Sequence, residues 1–323
     1  MNSAVAALDL GTNTFLLLIA RTGADGRIEV LDDQCRTPRI GAGLATTGAL
    51  SAEGMQRGLD VLAEFRERLR SADLDAARIR VVGTAALRRA RNAAEFIAAA
   101  RERTGLAIEV LSEEEEARVG FAAATAERDA ASVRVVDVGG GSTQITADGG
   151  RSRVSAPVGA VVLTERWHGG LDAAAWSDAS WSAMQNDVRR ACSVFPARER
   201  ASEVDDVIVL GGTGANLACL ELGLRAFEPA AVEGTVIAVP QVAHWAERLR
   251  MLDVPARLQL PIERERAQIL PAGLACLTAA LARLGAQRVT ISGRGVRYGV
   301  ARELLAASAL LPGAVPTRAP RVG

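Results

Sequence analysis

Short apolar runs and longer amphipathic stretches alternate along the first half of the chain. Residues 4–8 and 15–20 read as a hairpin pair with a polar loop between them, and 27–36 reads as a third strand. Residues 51–71 carry helical spacing, with Ser51 as N-cap and Glu53, Arg57 and Arg66 on the wet face. A strand over 78–84, a helix over 93–104 and a strand over 107–111 follow. Ser112 then precedes Glu113, Glu114, Glu115 and Glu116, where the positive end of a helix favours carboxylates. The second half repeats the scheme. Strands over 133–138 and 144–147 flank a glycine-rich loop, and Asp148-Gly149-Gly150 reads as a hairpin turn. A buried strand over 204–210 enters a further glycine-rich turn at 211–214, and a late strand over 289–292 precedes a terminal helix over 297–308. The apolar stretch 267–284 is broken by Pro271, Gly273, Thr278 and Arg283, which predicts a core helix and not a membrane span. The alternation predicts an α/β fold, with a loosely ordered tail from Pro312 onwards.

One local pattern occurs twice. Asp9 ends an apolar run and is followed by Gly11, Thr12, Asn13 and Thr14; Asp137 ends another and is followed by Gly139, Gly140, Gly141, Ser142 and Thr143. Glycine lets the backbone N–H groups of such a turn approach an anion closely, and hydroxyls add donors. Two matching loops, each with its carboxylate, predict two related half-sites facing one phosphate chain. Together with the turn at Gly211, Gly212 and Thr213 they could hold phosphates and a hydrated divalent ion, with Asp9 and Asp137 binding Mg2+ through water. A hydrolytic water then needs a base. Glu115 and Glu116 stand just after a strand end, and the spacing alone leaves open whether either acts or the run only solvates a helix start.

Composition narrows the chemistry. At 323 residues the chain suits two domains. Arginine supplies all 38 basic residues and lysine is absent, which excludes Schiff-base, lysine-base and Walker-type chemistry. His168 and His244 are the only histidines, so a histidine metal cluster or a Ser-His-Asp triad is not expected. Thirty-eight acidic residues balance the 38 basic ones, giving no general attraction to nucleic acid or anionic membrane. Cys35, Cys192, Cys219 and Cys276 are scattered, as buried thiols of a reducing compartment are; with no basic, uninterrupted apolar leader, the expectation is a cytoplasmic protein. The four tryptophans lack interleaved basic runs, which favours packing over base stacking.

Six motifs, taken in order, resemble the Ppx/GppA family of exopolyphosphatases and guanosine pentaphosphate phosphohydrolases. They are Asp9-Leu-Gly-Thr-Asn-Thr14, Gly83-Thr-Ala-Ala-Leu-Arg88, Leu111-Ser-Glu-Glu-Glu-Glu-Ala117, Asp137-Val-Gly-Gly-Gly-Ser-Thr143, Gly211-Gly-Thr213 with Asn216-Leu217-Ala218, and Gly293-Arg-Gly-Val-Arg297. The resemblance implies an actin/hexokinase/Hsp70-like (ribonuclease H-like) α/β fold, duplicated in two domains around a cleft. Domain I would be 1–117 plus 296–312, domain II 118–295, and 313–323 a flexible tail. It also implies release of terminal orthophosphate from inorganic polyphosphate with Mg2+ (Mn2+ as the alternative), or hydrolysis of guanosine penta- or tetraphosphate, by a homodimer. A non-catalytic phosphate or nucleotide sensor is the competing class. Under the resemblance Asp9 and Asp137 take the metal-and-water positions. Glu116 takes the place of the family's base, with Glu115 as the register alternative, and Arg88 that of a phosphate-contacting arginine.

Three departures bear on this. Gln144 stands where the family usually has glutamate, and a glutamine here is similar to the motif of related nucleoside triphosphate diphosphohydrolases; it cannot act as a base but can orient a water. Gln144→Glu is therefore expected to keep phosphatase activity while changing its rate or metal dependence, and an inert variant would contradict that. Glu113 replaces a common glycine, and residues 89–91 are more basic than usual. The resemblance implies a short form without the helical C-terminal domain of longer relatives, and with zero net charge the expectation is a preference for short polyphosphates or a nucleotide.

Overall fold

The computed structural model describes residues 4–168, 174–196, 206–224, 228–264 and 266–310. Two sheets organise it. The first holds β1 (Val5–Leu10), β2 (Phe15–Thr22), β3 (Ile28–Arg36), β4 (Ile79–Gly83) and β5 (Ile108–Val110), in the order β3-β2-β1-β4-β5. The second holds β6 (Val133–Val138), β7 (Thr143–Ala147), β8 (Ser152–Ala156), β9 (Asp206–Leu210), β10 (Val236–Ala238) and β11 (Arg288–Ile291), in the order β10-β11-β9-β6-β7-β8.

The same plan is written into both. β1 pairs antiparallel with β2 on one side and parallel with β4 on the other; β6 does the same with β7 and β9. Asp9 lies opposite Leu16 and Val82, and Asp137 opposite Gln144 and Leu210. Each carboxylate thus sits near the carboxyl end of a central strand, beside a tight hairpin, where open α/β sheets place ligands. This duplicated arrangement is the actin/hexokinase/Hsp70-like architecture.

The helices around the first sheet are α1 (Leu44–Thr47), α2 (Ala52–Ser71), α3 (Ala85–Arg89), α4 (Ala93–Thr104) and α5 (Glu113–Ala124). Around the second are α6 (Ala160–Trp167), α7 (Asp178–Ala191), α8 (Gly211–Leu222), α9 (Pro229–Val232), α10 (Val239–Arg250), α11 (Val254–Arg257) and α12 (Leu270–Leu284), and α13 (Val296–Leu310) returns to the first. Phe15, Leu62, Phe65 and Phe96 fill one face of the first sheet against α2 and α4, each fully buried and worth about 1.5–3 kcal/mol of transfer free energy. Its other face packs Val5, Ala7 and Leu18 on Val119 of α5 and Val300 of α13. α12 is buried against α7 and α10 as the core of the second unit, as its apolar sequence predicts. No helix among the described residues is long and apolar enough to cross a membrane.

Several local expectations change. Ser51 caps α2 by accepting from the Gly54 N–H, and Glu53 and Arg57 are exposed, but Arg66 is half-buried with its Nε unpartnered. Residues 211–214 are not a separate turn: only Gly211 takes a positive φ, of 82°, and the helix α8 begins at once. The division expected at 117/118 falls inside α5, whose Val119 and Ala123 join the first sheet's core while Phe121 packs with Val133, Val135 and Ile208 of the second. Two short strands, β8 and β10, carry no clear alternating pattern and were not expected. Residues 204 and 205 of the expected strand, and the tail from 313, lie outside the described residues.

Candidate active site

The two hairpin loops meet at one cleft and share a geometry. In the first, the Gly11 N–H donates to the Thr14 carbonyl at 2.9 Å; in the second, the Gly139 N–H donates to the Ser142 carbonyl at 2.9 Å. Neighbouring segments satisfy the loop carbonyls from behind. Gly41 donates to Thr12 and Arg39 to Asn13, at 2.9 and 3.0 Å, while Ala160 donates to Gly139 and Val161 to Gly140, at 3.0 and 2.9 Å. By contrast, the backbone N–H groups of Thr12, Asn13, Gly140 and Gly141 donate to no described residue. Outward amides with their carbonyls tied back form an anion cradle.

Close approach of the backbone explains two glycines that no motif singles out. A Cβ on Gly159 would stand 2.6 Å from both the Gly140 carbonyl carbon and the Ser142 nitrogen. One on Gly41 would collide with Thr12. Both therefore allow a second layer of backbone to press against a loop.

Asp9, Asp137 and Glu116 line a common cavity of about 300 Å³ between the loops. Burial, then the Glu116 charge, pushes Asp9 up to about 7, with Arg297 opposing and Asp137 adding to the rise. Burial and Glu116 push Asp137 up to about 6, against Arg266. Burial also raises Glu116, and the Arg88 guanidinium opposes it. Three carboxylates raised together by burial and mutual repulsion favour a cation or a proton among them. Asp9 Oδ1 is buried without any hydrogen-bond partner, which suits a cation or its water shell. Among the described residues no group of three or more His, Cys, Asp or Glu side chains is arranged to hold a metal directly. A Mg2+ that keeps most of its waters needs only one or two carboxylates, so Asp9 and Asp137 fit that ion.

The structure separates the two glutamates left open by the sequence. Glu115 closes a capping box: its Oε2 accepts from the Ser112 N–H and hydroxyl at 2.8 Å, and its own N–H donates to the Ser112 Oγ. It is exposed and does not line the cavity. Glu116 points inward instead, with its Oε2 accepting from Arg88 Nη1 at 2.9 Å.

Other expected phosphate-binding groups face elsewhere. Arg88 does not line the cavity; its Nη1 holds Glu116 and the Leu111 carbonyl, and Glu113 lies 3.8 Å from its Nη2. Glu113 also reaches Arg153, at 3.1 Å, so the residue that replaces a glycine ties α5 to β8. The hydroxyls of Thr143 and Thr213 donate to the Val158 and Val138 carbonyls, at 2.7 and 3.2 Å, and are buried away from the cleft. Thr14 keeps its place beside the cavity but accepts from Arg266. Gly11, Thr12, Asn13, Gly139, Gly140, Gly141, Ser142, Gln144, Gly211 and Gly212 all border the cavity. Gln144 occupies the register position that Leu16 holds in the first hairpin, each opposite the loop carboxylate.

Two arginines at the cavity wall were missed as site residues. Arg266, between α11 and α12, donates from Nη2 to the Thr14 hydroxyl at 3.1 Å and lies 3.7 Å from Glu263. It bridges the second unit to the first phosphate loop, passing over Gly212, which has no side chain to obstruct it. Nothing near residue 266 in sequence signals this, because the contact spans 252 positions. Arg297 forms a bidentate pair with Asp33, at 2.9 and 3.0 Å, and its charge bears on Asp9. It closes the last quoted motif, which was the available signal.

Comparison with known proteins places the chain and its fold among known relatives. A curated guanosine-5'-triphosphate,3'-diphosphate pyrophosphatase from Photobacterium profundum is 32% identical over 306 residues, covering 93% of this chain and 59% of that protein. One from Vibrio cholerae is 33% identical over 307 residues, with the same coverage. The chain thus spans about three fifths of the length of these curated relatives. Among solved structures, the Aquifex aeolicus Ppx/GppA family member superposes with a TM-score of 0.77 at 27% identity, over 95% of this chain and 99% of that one. An exopolyphosphatase from Cytophaga hutchinsonii shares the fold, with a TM-score of 0.80 at 21% identity, over 94% and 98% of the two chains. The model of the Ppx/GppA phosphatase family matches residues 18–307, and the chain belongs to that family.

Proposed function

We propose that this cleft hydrolyses a terminal phosphoanhydride, with Glu116 as the general base and the paired loops as the seat of the transferred phosphate. The observation that carries the reading is the convergence of Glu116, Asp9 and Asp137 on two loops whose outward N–H groups have no acceptor among the described residues. The loop amides hold the phosphate oxygens and stabilise charge as it develops on them. Glu116, with a raised proton affinity and one oxygen held by Arg88, takes a proton from the attacking water. Gln144, buried and opposite Asp137, is a hydrogen-bonding group that can orient that water. Asp9 and Asp137 would hold a hydrated Mg2+, which supplies positive charge to the phosphate oxygens when bound.

For the substrate we favour a guanosine pentaphosphate-type nucleotide over inorganic polyphosphate. Among the described residues, the charged lining of the cavity is Asp9, Asp33, Glu116, Asp137 and Glu263 against Arg266 and Arg297, and both arginines already face a carboxylate. Such a wall suits one phosphate terminus with its metal and offers no basic track for a long polyanion. The names of the curated relatives support the same choice. Phosphate release from pppGpp, short and long polyphosphate and ATP in Mg2+ tests this. The expected order puts pppGpp first in kcat/KM with no gain from chain length. Highest kcat/KM on long polyphosphate would refute the preference, and tight binding of pppGpp without any release would favour a sensor.

The carboxylates also set a pH dependence of stability. Asp9 and Asp137 titrate near 7 and 6 when folded but near 3.8 as free side chains, so the folded state binds more protons between these values. Their stabilising contribution is full below about pH 4 and is lost as pH rises through about 6–7. Metal-free protein should therefore lose thermal stability between about pH 5 and pH 8, less steeply in Asp9→Asn, and Mg2+ should raise Tm more at the higher pH. A Tm response to Mg2+ that is equal at both pH values would contradict the assignment of these carboxylates.

A further inference from the structure

The Gly83 motif ends in Arg88 and is followed by Arg89 and Arg91, and the structure distinguishes the three. Arg88 is held by Glu116 and the Leu111 carbonyl, and Arg91 donates to the Thr47 carbonyl at 2.6 Å. Arg89, the last residue of α3, is exposed and its side chain makes no hydrogen bond or ion pair with a described residue. Yet its guanidinium lies against the second phosphate loop: a Cβ on Gly141 would stand 2.8 Å from Arg89 Nη1. Arg89 and Gly141 border a small recess with Thr12, Gly41, Gly140 and Glu165. Thr12, Gly140 and Gly141 border the main cavity as well, so the recess opens beside the seat of the transferred phosphate.

Charge accounting favours a role for this group. A phosphoanhydride brings negative charge beyond its reacting phosphate, while the two arginines of the main cavity already face carboxylates. An uncommitted guanidinium next to outward loop amides is the complementary partner for a second phosphate. Glu165, which also borders the recess, accepts from the Gly43 N–H at 3.0 Å and forms no ion pair with Arg89; its Oε2 is buried without a partner among the described residues.

We propose that Arg89 binds the phosphate adjacent to the one that is released, and so positions the substrate chain across the second loop. This rests on the phosphoanhydride reading of the cleft. Arg89→Gln should raise KM for tripolyphosphate and pppGpp about tenfold, with a much smaller change in kcat and partial recovery in Arg89→Lys. Inhibition by orthophosphate, which has no second phosphate, should change less than about twofold, a selectivity that general loosening of the loop would not produce. Glu165→Gln separates substrate contact from an ion pair formed on closure of the cleft: it should leave KM unchanged or lower it. An unchanged KM in Arg89→Gln, an equal loss of orthophosphate affinity, or the same KM rise in Glu165→Gln would overturn the proposal. If the wild-type chain releases no phosphate from any substrate, the hydrolase reading fails by itself. Calorimetric binding of tripolyphosphate to wild type and Arg89→Gln then still decides, and equal Kd values would refute the contact.

Discussion

Glu116→Gln lowers kcat by about 10²–10⁴-fold and leaves substrate affinity close to wild type. The amide keeps the shape of the carboxylate and still accepts from Arg88 Nη1 through its oxygen, so the cavity wall survives. What disappears is a group able to take a proton, and with neither lysine nor a cavity histidine no other base of that class is at hand. Of the other cavity carboxylates, Asp33 faces Arg297 and Glu263 faces Arg266, and a metal bound to Asp9 and Asp137 would make those two poor bases. The contrast with Glu115→Gln is equally specific. That change weakens a helix cap at an exposed position, so a small loss of thermal stability with near-normal turnover is expected. Phosphate-release kinetics beside thermal unfolding of both variants checks the pair. Near-normal kcat in Glu116→Gln would remove it from the mechanism.

Gly159→Ala should lower kcat/KM about 100-fold without unfolding the protein, an effect on the scale of misplacing a catalytic group by about 1 Å. The added methyl meets the backbone of the second loop, the Gly140 carbonyl carbon and the Ser142 nitrogen, each at 2.6 Å. Backbone cannot rotate away as a side chain can, so the second loop must move. Its outward N–H groups then no longer match those of the first loop across the cleft. Gly120→Ala is the control. Its Cβ would make ordinary contacts at 3.7 and 3.8 Å with Leu210 and Val296 in mid-helix, where the change stabilises a helix or is neutral. Full activity in Gly159→Ala would mean that the loop geometry is not what the reaction depends on.

Much of this site is legible in the chain because its parts are local. A strand that ends in a carboxylate, a glycine turn and a returning strand occupy eight consecutive positions, Asp9 to Leu16 or Asp137 to Gln144, and the hairpins formed as read. Ser112 and the glutamates behind it likewise belong to one helix start. Choosing between Glu115 and Glu116 needed the fold, since adjacent helical residues point about 100° apart and only Ser112 and Arg88 fix which is which. The resemblance puts Arg88 at a phosphate, yet its guanidinium is held by Glu116, 28 positions away. Arg266 and Gly159 reach the phosphate loops through contacts distant in sequence, and no pattern near either one marks it. The hydroxyls of Thr143 and Thr213 turned inward for a simpler reason: alternation along β7 and the first turn of α8 directs them to the core.

The most direct test of the central claim is turnover in heavy-oxygen water under single-turnover conditions. If Glu116 activates water to attack the terminal phosphorus, the released orthophosphate carries one label. The shortened substrate carries none, and Glu116→Gln incorporates label at a correspondingly reduced rate. Label in the shortened substrate, or labelling that persists at the wild-type rate in Glu116→Gln, would contradict the account.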